Sequence, residues 1–249
     1  MGIAVLNPSY ALLDNGLIMT AIASNLQAVN HIIAQALRTV QRRGDDVKLL
    51  AVSKAFPAAA VREAYQAGLS TFGESYVQEA LDKIETLRDL PLQWHFIGPI
   101  QSNKTRAIAQ HFSWVHSVDR LNIAERLSAQ RPANLLPLNV CIQVNLSGEE
   151  SKSGVAPEQL AELAQSVALL PHIELRGLMT IPAPASKLAA QRVPFARLRE
   201  LLQALNDQGL ELDTLSMGMS HDIEAAVLEG ATIVRVGTAI FGERNYGEK

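Results

Sequence analysis

Along the chain, short apolar runs alternate with longer segments in which apolar residues return every third or fourth position. The short runs lie at 48–53 (KLLAVS), 70–74 (STFGE), 93–98 (QWHFIG), 114–118 (WVHSV), 139–145 (NVCIQVN), 173–181 (IELRGLMTI), 213–218 (DTLSMG) and 232–237 (TIVRVG). The longer segments lie at 20–42, 58–67, 76–88, 101–110, 120–130, 157–170, 187–208 and 221–229. Within 76–88, Tyr76, Ala80, Leu81, Ile84 and Leu87 fall close to one helical face with charges between them. At 157–170, Pro157 and Glu158 suit the first turn of a helix. Strands alternating with helices predict parallel pairing through right-handed crossovers. The strands also read as continuous apolar runs, as parallel strands buried on both faces do. The expected fold class is therefore α/β, a closed (β/α)8 TIM-type barrel with an extra N-terminal helix at 20–42. An open doubly wound sheet fits less well. Its first turn is usually Gly-rich, whereas here the first strand runs into SKAF, with neither GxGxxG nor GxxxxGK[ST] anywhere.

Residues 1–18 fall outside this alternation. They are fairly apolar, yet no Lys or Arg precedes Arg38, so they match neither a secretory signal nor a transit peptide. They read as a poorly ordered extension, with 19–249 as a single domain. No apolar run approaches the ~20 residues that span a bilayer. The formal net charge of −3 provides no basic field for nucleic acid or an acidic membrane surface. Aromatic residues, at 5%, are too few for a base-stacking platform. The single cysteine, Cys141, permits no internal disulfide and sits in an apolar run, as a small buried hydrophobe would. A cytoplasmic location is expected, and so is a monomer. The histidines have no metal-ligand spacing, so no metal site is expected.

Chemistry in such barrels sits at the C-terminal ends of the strands. Lys54 closes the first strand, and period-2 alternation puts it on the side of Leu50 and Val52, facing the mouth. An amine beside an apolar wall becomes nucleophilic toward aldehydes, although a solvated strand-end lysine is the plainer alternative. The loops after the last two strands are the usual phosphate site. There the chain reads TLSMGMSHDIEAAV and IVRVGTAIFGER. Ser220, Gly237 and Thr238 offer hydroxyls and backbone N–H groups, while Ser220 alone reads equally well as the N-cap of the next helix. Together with Lys54 they favour an aldehyde that bears a phosphate, and pyridoxal 5′-phosphate (PLP) answers that description best. Arg235 lies within the eighth strand. It suits either an ion pair with a strand-end acid such as Glu74 or a donor role toward a pyridine nitrogen. His95, Asn103 and Lys104 surround the third strand and could line the mouth or act structurally; Lys152 overlooks it from the loop after the fifth.

The segments LLAVSK, FGESYVQEALDKI, WHFIGPIQSNK, NLSGEESKSGV, RGLMTIPAP, LSMGMSHDIEAA and VRVGTAIFGERNY, in this order, resemble the pyridoxal phosphate homeostasis family, whose fold is similar to the N-terminal barrel of alanine racemases. The resemblance spans residues 20–249 and implies a Schiff base between PLP and Lys54. It also implies phosphate contacts from Ser220, Gly237 and Thr238, with Arg235 facing the pyridine nitrogen. Ser75 departs from the asparagine expected there and is kept as a cofactor neighbour. The implied role is vitamin B6 homeostasis, with PLP-dependent apo-enzymes as recipients. The competing reading is a PLP-dependent amino-acid racemase. Racemisation needs a base on each face of the substrate carbon, and related racemases draw the second from a further C-terminal β-domain, which is not expected here. A barrel that binds some other phosphorylated metabolite is the third reading.

Overall fold

The computed structural model describes residues 10–12, 18–147 and 153–243. Tyr10–Leu12 (β1) pairs antiparallel with Ile18–Thr20 (β2) in a short two-stranded ribbon. The rest of 1–18 lies outside the described residues. Thr20 then caps helix α1 (Ala21–Thr39), its hydroxyl accepting from the Ala23 N–H at 3.3 Å.

Eight strands follow: β3 (Lys48–Val52), β4 (Thr71–Glu74), β5 (Gln93–Phe96), β6 (Trp114–Val118), β7 (Leu138–Gln143), β8 (Ile173–Met179), β9 (Thr214–Ser216) and β10 (Ile233–Val236). They form a closed parallel barrel in chain order, with β10 pairing β3. Between them run α2 (Ala58–Gln66), α3 (Val77–Thr86), α4 (Thr105–His111), α5 (Leu121–Gln130), α6 (Leu160–Ala168), α7 (Leu188–Asn206) and α8 (Ile223–Leu228), and a short α9 (Thr238–Phe241) follows β10. Every strand and helix placed by the hydrophobic pattern is present. Because α9 is only four residues long, it cannot cover the β10–β3 junction. α1 takes that place, contacting α8, α9 and α2. It buries Ile22, Leu26, Val29, Ile33 and Leu37 along one stripe.

The core has two parts. The larger lies between strands and helices and holds the outward residues, such as Ala51, Phe72, Phe96, Val140 and Val234. The smaller lies inside the barrel and consists of Leu50, Trp114, Cys141, Met179 and Ile233. The alternation that puts Leu50 inside and Ala51 outside aims the next even positions, Val52 and then Lys54, into the mouth.

Candidate functional site

β3 ends at Val52, and the chain turns at once. The Phe56 N–H donates to the Ser53 carbonyl at 3.0 Å, closing a four-residue turn with Lys54 and Ala55 at its corners. Ala55 has φ +66°. A positive φ at the second corner is the mark of a type II turn, where glycine is usual. An alanine there costs about 1–3 kcal/mol and keeps this conformation only because its surroundings hold it.

Lys54 lines a cavity of 200 Å3 together with Val52, Ser75, Ile97, Ile181, Met219, Ser220, His221, Arg235, Gly237 and Thr238. The six residues expected to contact the cofactor, Lys54, Ser75, Ser220, Arg235, Gly237 and Thr238, thus line one chamber. Its size is below the roughly 300–1,000 Å3 of drug-sized pockets and suits a single substituted ring. Through Ile97, Ile181 and Met219 it adjoins an outer cavity of 390 Å3. Ser220 does not cap the helix that follows it. α8 begins at Ile223, with Asp222 before it and no side-chain cap. The Ser220 hydroxyl instead accepts from the Ala239 N–H at 3.3 Å, tying the end of β9 to the first turn of α9. This leaves its proton available to the chamber. Gly218 makes the approach possible: it has φ +91°, and a Cβ there would meet the Ala226 Cβ at 2.5 Å.

Arg235 forms part of the chamber floor and is 3% exposed. Its guanidinium donates to the Ser216 hydroxyl at 2.7 Å and to the Thr180 carbonyl at 2.9 Å. It makes no ion pair with Glu74. Glu74 points outward from β4, away from the barrel axis, and is bound instead by Lys83 at 2.8 Å. Burial pushes Arg235 down to about 10, which leaves it charged at neutral pH. The Ser216 Oγ lies 2.7 Å from His116 Nδ1, and His116 Nε2 lies 2.9 Å from His95 Nδ1. An arginine can only donate. Ser216 therefore accepts from it and donates to His116 Nδ1; His116 Nε2–H donates to His95 Nδ1; and His95 Nε2–H is directed at Gln93 Oε1, 3.3 Å away. This order satisfies every group with both rings neutral. Burial above all pushes His95 down to about 3 and His116 well below its ordinary value.

His95 thus lies inside the barrel, stacked on Trp114 at 5.4 Å, and not at the mouth. Asn103 and Lys104 are exposed and do not line the chamber. Lys152 lies outside the described residues. The sequence reading missed His116 and Ser216, although His116 shares the inward parity of Trp114 on β6.

Residues 24–245 match the family model described as "Alanine racemase, N-terminal domain". The pyridoxal phosphate homeostasis protein of Pseudomonas aeruginosa is 65% identical over 229 residues, covering 92% of this chain and 98% of the relative. The chain belongs to the pyridoxal phosphate homeostasis protein family. The Escherichia coli member is 51% identical over 234 residues, covering 93% of this chain and all of its own. PipY of Synechococcus elongatus, solved with PLP bound, is 41% identical with a TM-score of 0.79, covering 89% of this chain and 100% of its own. Alanine racemase of Corynebacterium glutamicum, at 22% identity and a TM-score of 0.65, covers 92% of this chain and 63% of its own; the likeness is one of fold.

Proposed function

We propose that this chain, as one domain from residue 19 to 249, holds PLP reversibly and serves vitamin B6 homeostasis without turning over amino acids. One observation carries the reading: the Lys54 amine, the phosphate-suited groups of Ser220, Gly237 and Thr238, and the Arg235 guanidinium line a single small chamber. Bound there, the cofactor supplies an aldehyde that condenses reversibly with a primary amine. Lys54 is that amine, and Ser75 lies at the chamber wall. Arg235, held from below by Ser216 and Thr180, presents a charged donor that can neither take up a proton nor act as the carboxylate does toward a pyridine nitrogen. That favours holding the cofactor over using it as an electron sink. The family name of the relatives and the PLP bound to PipY support the same reading. Among the described residues no helix is long and apolar enough to cross a membrane. The reading places the protein in the cytoplasm as a monomer, with PLP-dependent apo-enzymes as recipients.

The test is the absorption spectrum of the protein with PLP, before and after borohydride. A visible-range band that borohydride fixes onto Lys54 is expected, and Lys54→Ala should lose the covalent label while keeping measurable noncovalent affinity. A peptide map placing the label only on another lysine would overturn the assignment. Incubation with a panel of L-amino acids should give neither racemisation nor keto acid at ordinary enzymatic rates, on the order of 1 per second. Turnover at such rates that disappears in Lys54→Ala would establish a racemase or transaminase instead.

A further inference from the structure

The turn that carries Lys54 is gripped from outside the chamber. Lys83, on α3, is 5% exposed, and its ammonium donates to the Ser53 carbonyl at 2.7 Å, Glu74 Oε1 at 2.8 Å and Glu79 Oε1 at 2.6 Å. The same Glu79 oxygen accepts from the Ala55 N–H at 2.6 Å. The same Glu74 oxygen accepts from the Ser53 hydroxyl at 2.7 Å. Both chain neighbours of Lys54 are therefore tied to one ammonium and two carboxylates. A buried ion cluster is a weak source of stability, because desolvation offsets much of the attraction. This cluster does something more specific: the three donors of Lys83 reach acceptors on the turn, on β4 and on α3, which fixes the three against one another. The cluster also secures the backbone of the one turn residue, Ala55, whose conformation is strained. Beyond the turn, the Phe56 ring stacks on Phe241 of α9, with centroids 5.0 Å apart.

We propose that Glu79, Lys83 and Glu74 are positioning residues that lock the Ser53–Phe56 turn and so present the Lys54 amine to the chamber. The proposal rests on the PLP reading and deepens it. None of the three lines the chamber. Loosening them should therefore impair covalent capture at Lys54 while sparing recognition of the ring and phosphate.

Two ligands separate these effects: PLP, and pyridoxine 5′-phosphate, which carries an alcohol in place of the aldehyde. The variant of choice is Glu79→Leu, because the Glu79 side chain is 31% exposed. Lys83→Met, by contrast, would strand Glu74 in the interior. In Glu79→Leu the Kd for PLP should rise about tenfold, or about 1.4 kcal/mol, while that for pyridoxine 5′-phosphate stays within about twofold. Borohydride labelling of Lys54 should slow in parallel. Glu79→Gln, which keeps an oxygen for the Ala55 N–H, should recover part of the loss. Equal losses for both ligands, or no loss for either, would overturn the proposal. Wild-type protein that bound neither ligand would instead overturn the PLP reading itself, and this proposal with it.

Discussion

Ser220, in the loop after β9, accepts from the first turn of α9 and lines the chamber, so on the PLP reading its hydroxyl proton is free to meet the phosphate. A hydrogen bond to a charged group contributes roughly 1.5–3 kcal/mol. Ser220→Ala should therefore weaken PLP binding by about one order of magnitude or more, as read by fluorescence titration. An unchanged Kd with a lowered Tm would show that the hydroxyl serves only to tie β9 to α9. At this scale the sequence was informative where strand parity decides direction. Lys54 just past β3 and Arg235 within β10 follow from counting by twos, whereas Gly237 and Thr238 come from the loop position after the last strand. It was uninformative where a side chain chooses among nearby partners. Ser220 had a cap position in sequence but found a distant N–H in space. An alanine at φ +66° carries no sequence mark at all, because it takes that conformation under the hold of Glu79 and Lys83.

β5 and β6 together put two imidazoles inside the barrel with no acid beside them. Both are held neutral by burial, His95 with a folded value of about 3, below the ~6.5 of an unfolded chain. Between those values the unfolded state binds more protons than the folded one, so stability falls as pH falls. Each such histidine adds a slope of about 1.4 kcal/mol per pH unit across the window. Glu74, raised by burial, acts in the opposite sense: its contribution is present at low pH and is lost as pH rises through its folded value. Denaturant titrations between about pH 4 and 6 should therefore show a shallower dependence in His95→Gln than in the wild type, the Glu74 contribution being common to both. Parallel curves would mean that His95 is charged in the fold. The elements themselves were legible because strands buried on both sides need unbroken apolar runs. β1 was not, since a three-residue strand in an aperiodic apolar stretch has no period to detect.

For the whole molecule, the alternation of strand and helix settled the barrel, but not which helix covers its junction; that role fell to α1 because α9 is so short. The closed interior makes Cys141 a reporter. It is fully buried inside the barrel, and burial pushes its thiol up to about 12. A thiol reagent at neutral pH should modify it only as fast as the barrel opens, and saturating PLP should slow that reaction by stabilising the folded state. Fast labelling, unaffected by PLP, would show local opening at β7. The junction itself has a consequence in time. Lys54 follows the first barrel strand to be synthesised, while Ser220, Arg235, Gly237 and Thr238 belong to the last two, and β10 pairs with β3 across nearly the whole chain. A growing polypeptide carries the amine through most of its translation with no phosphate-suited loops opposite it. On the PLP reading, tight capture of the cofactor is expected only once the final strand has docked on the first, so a chain truncated before β10 should show no saturable PLP binding by fluorescence titration.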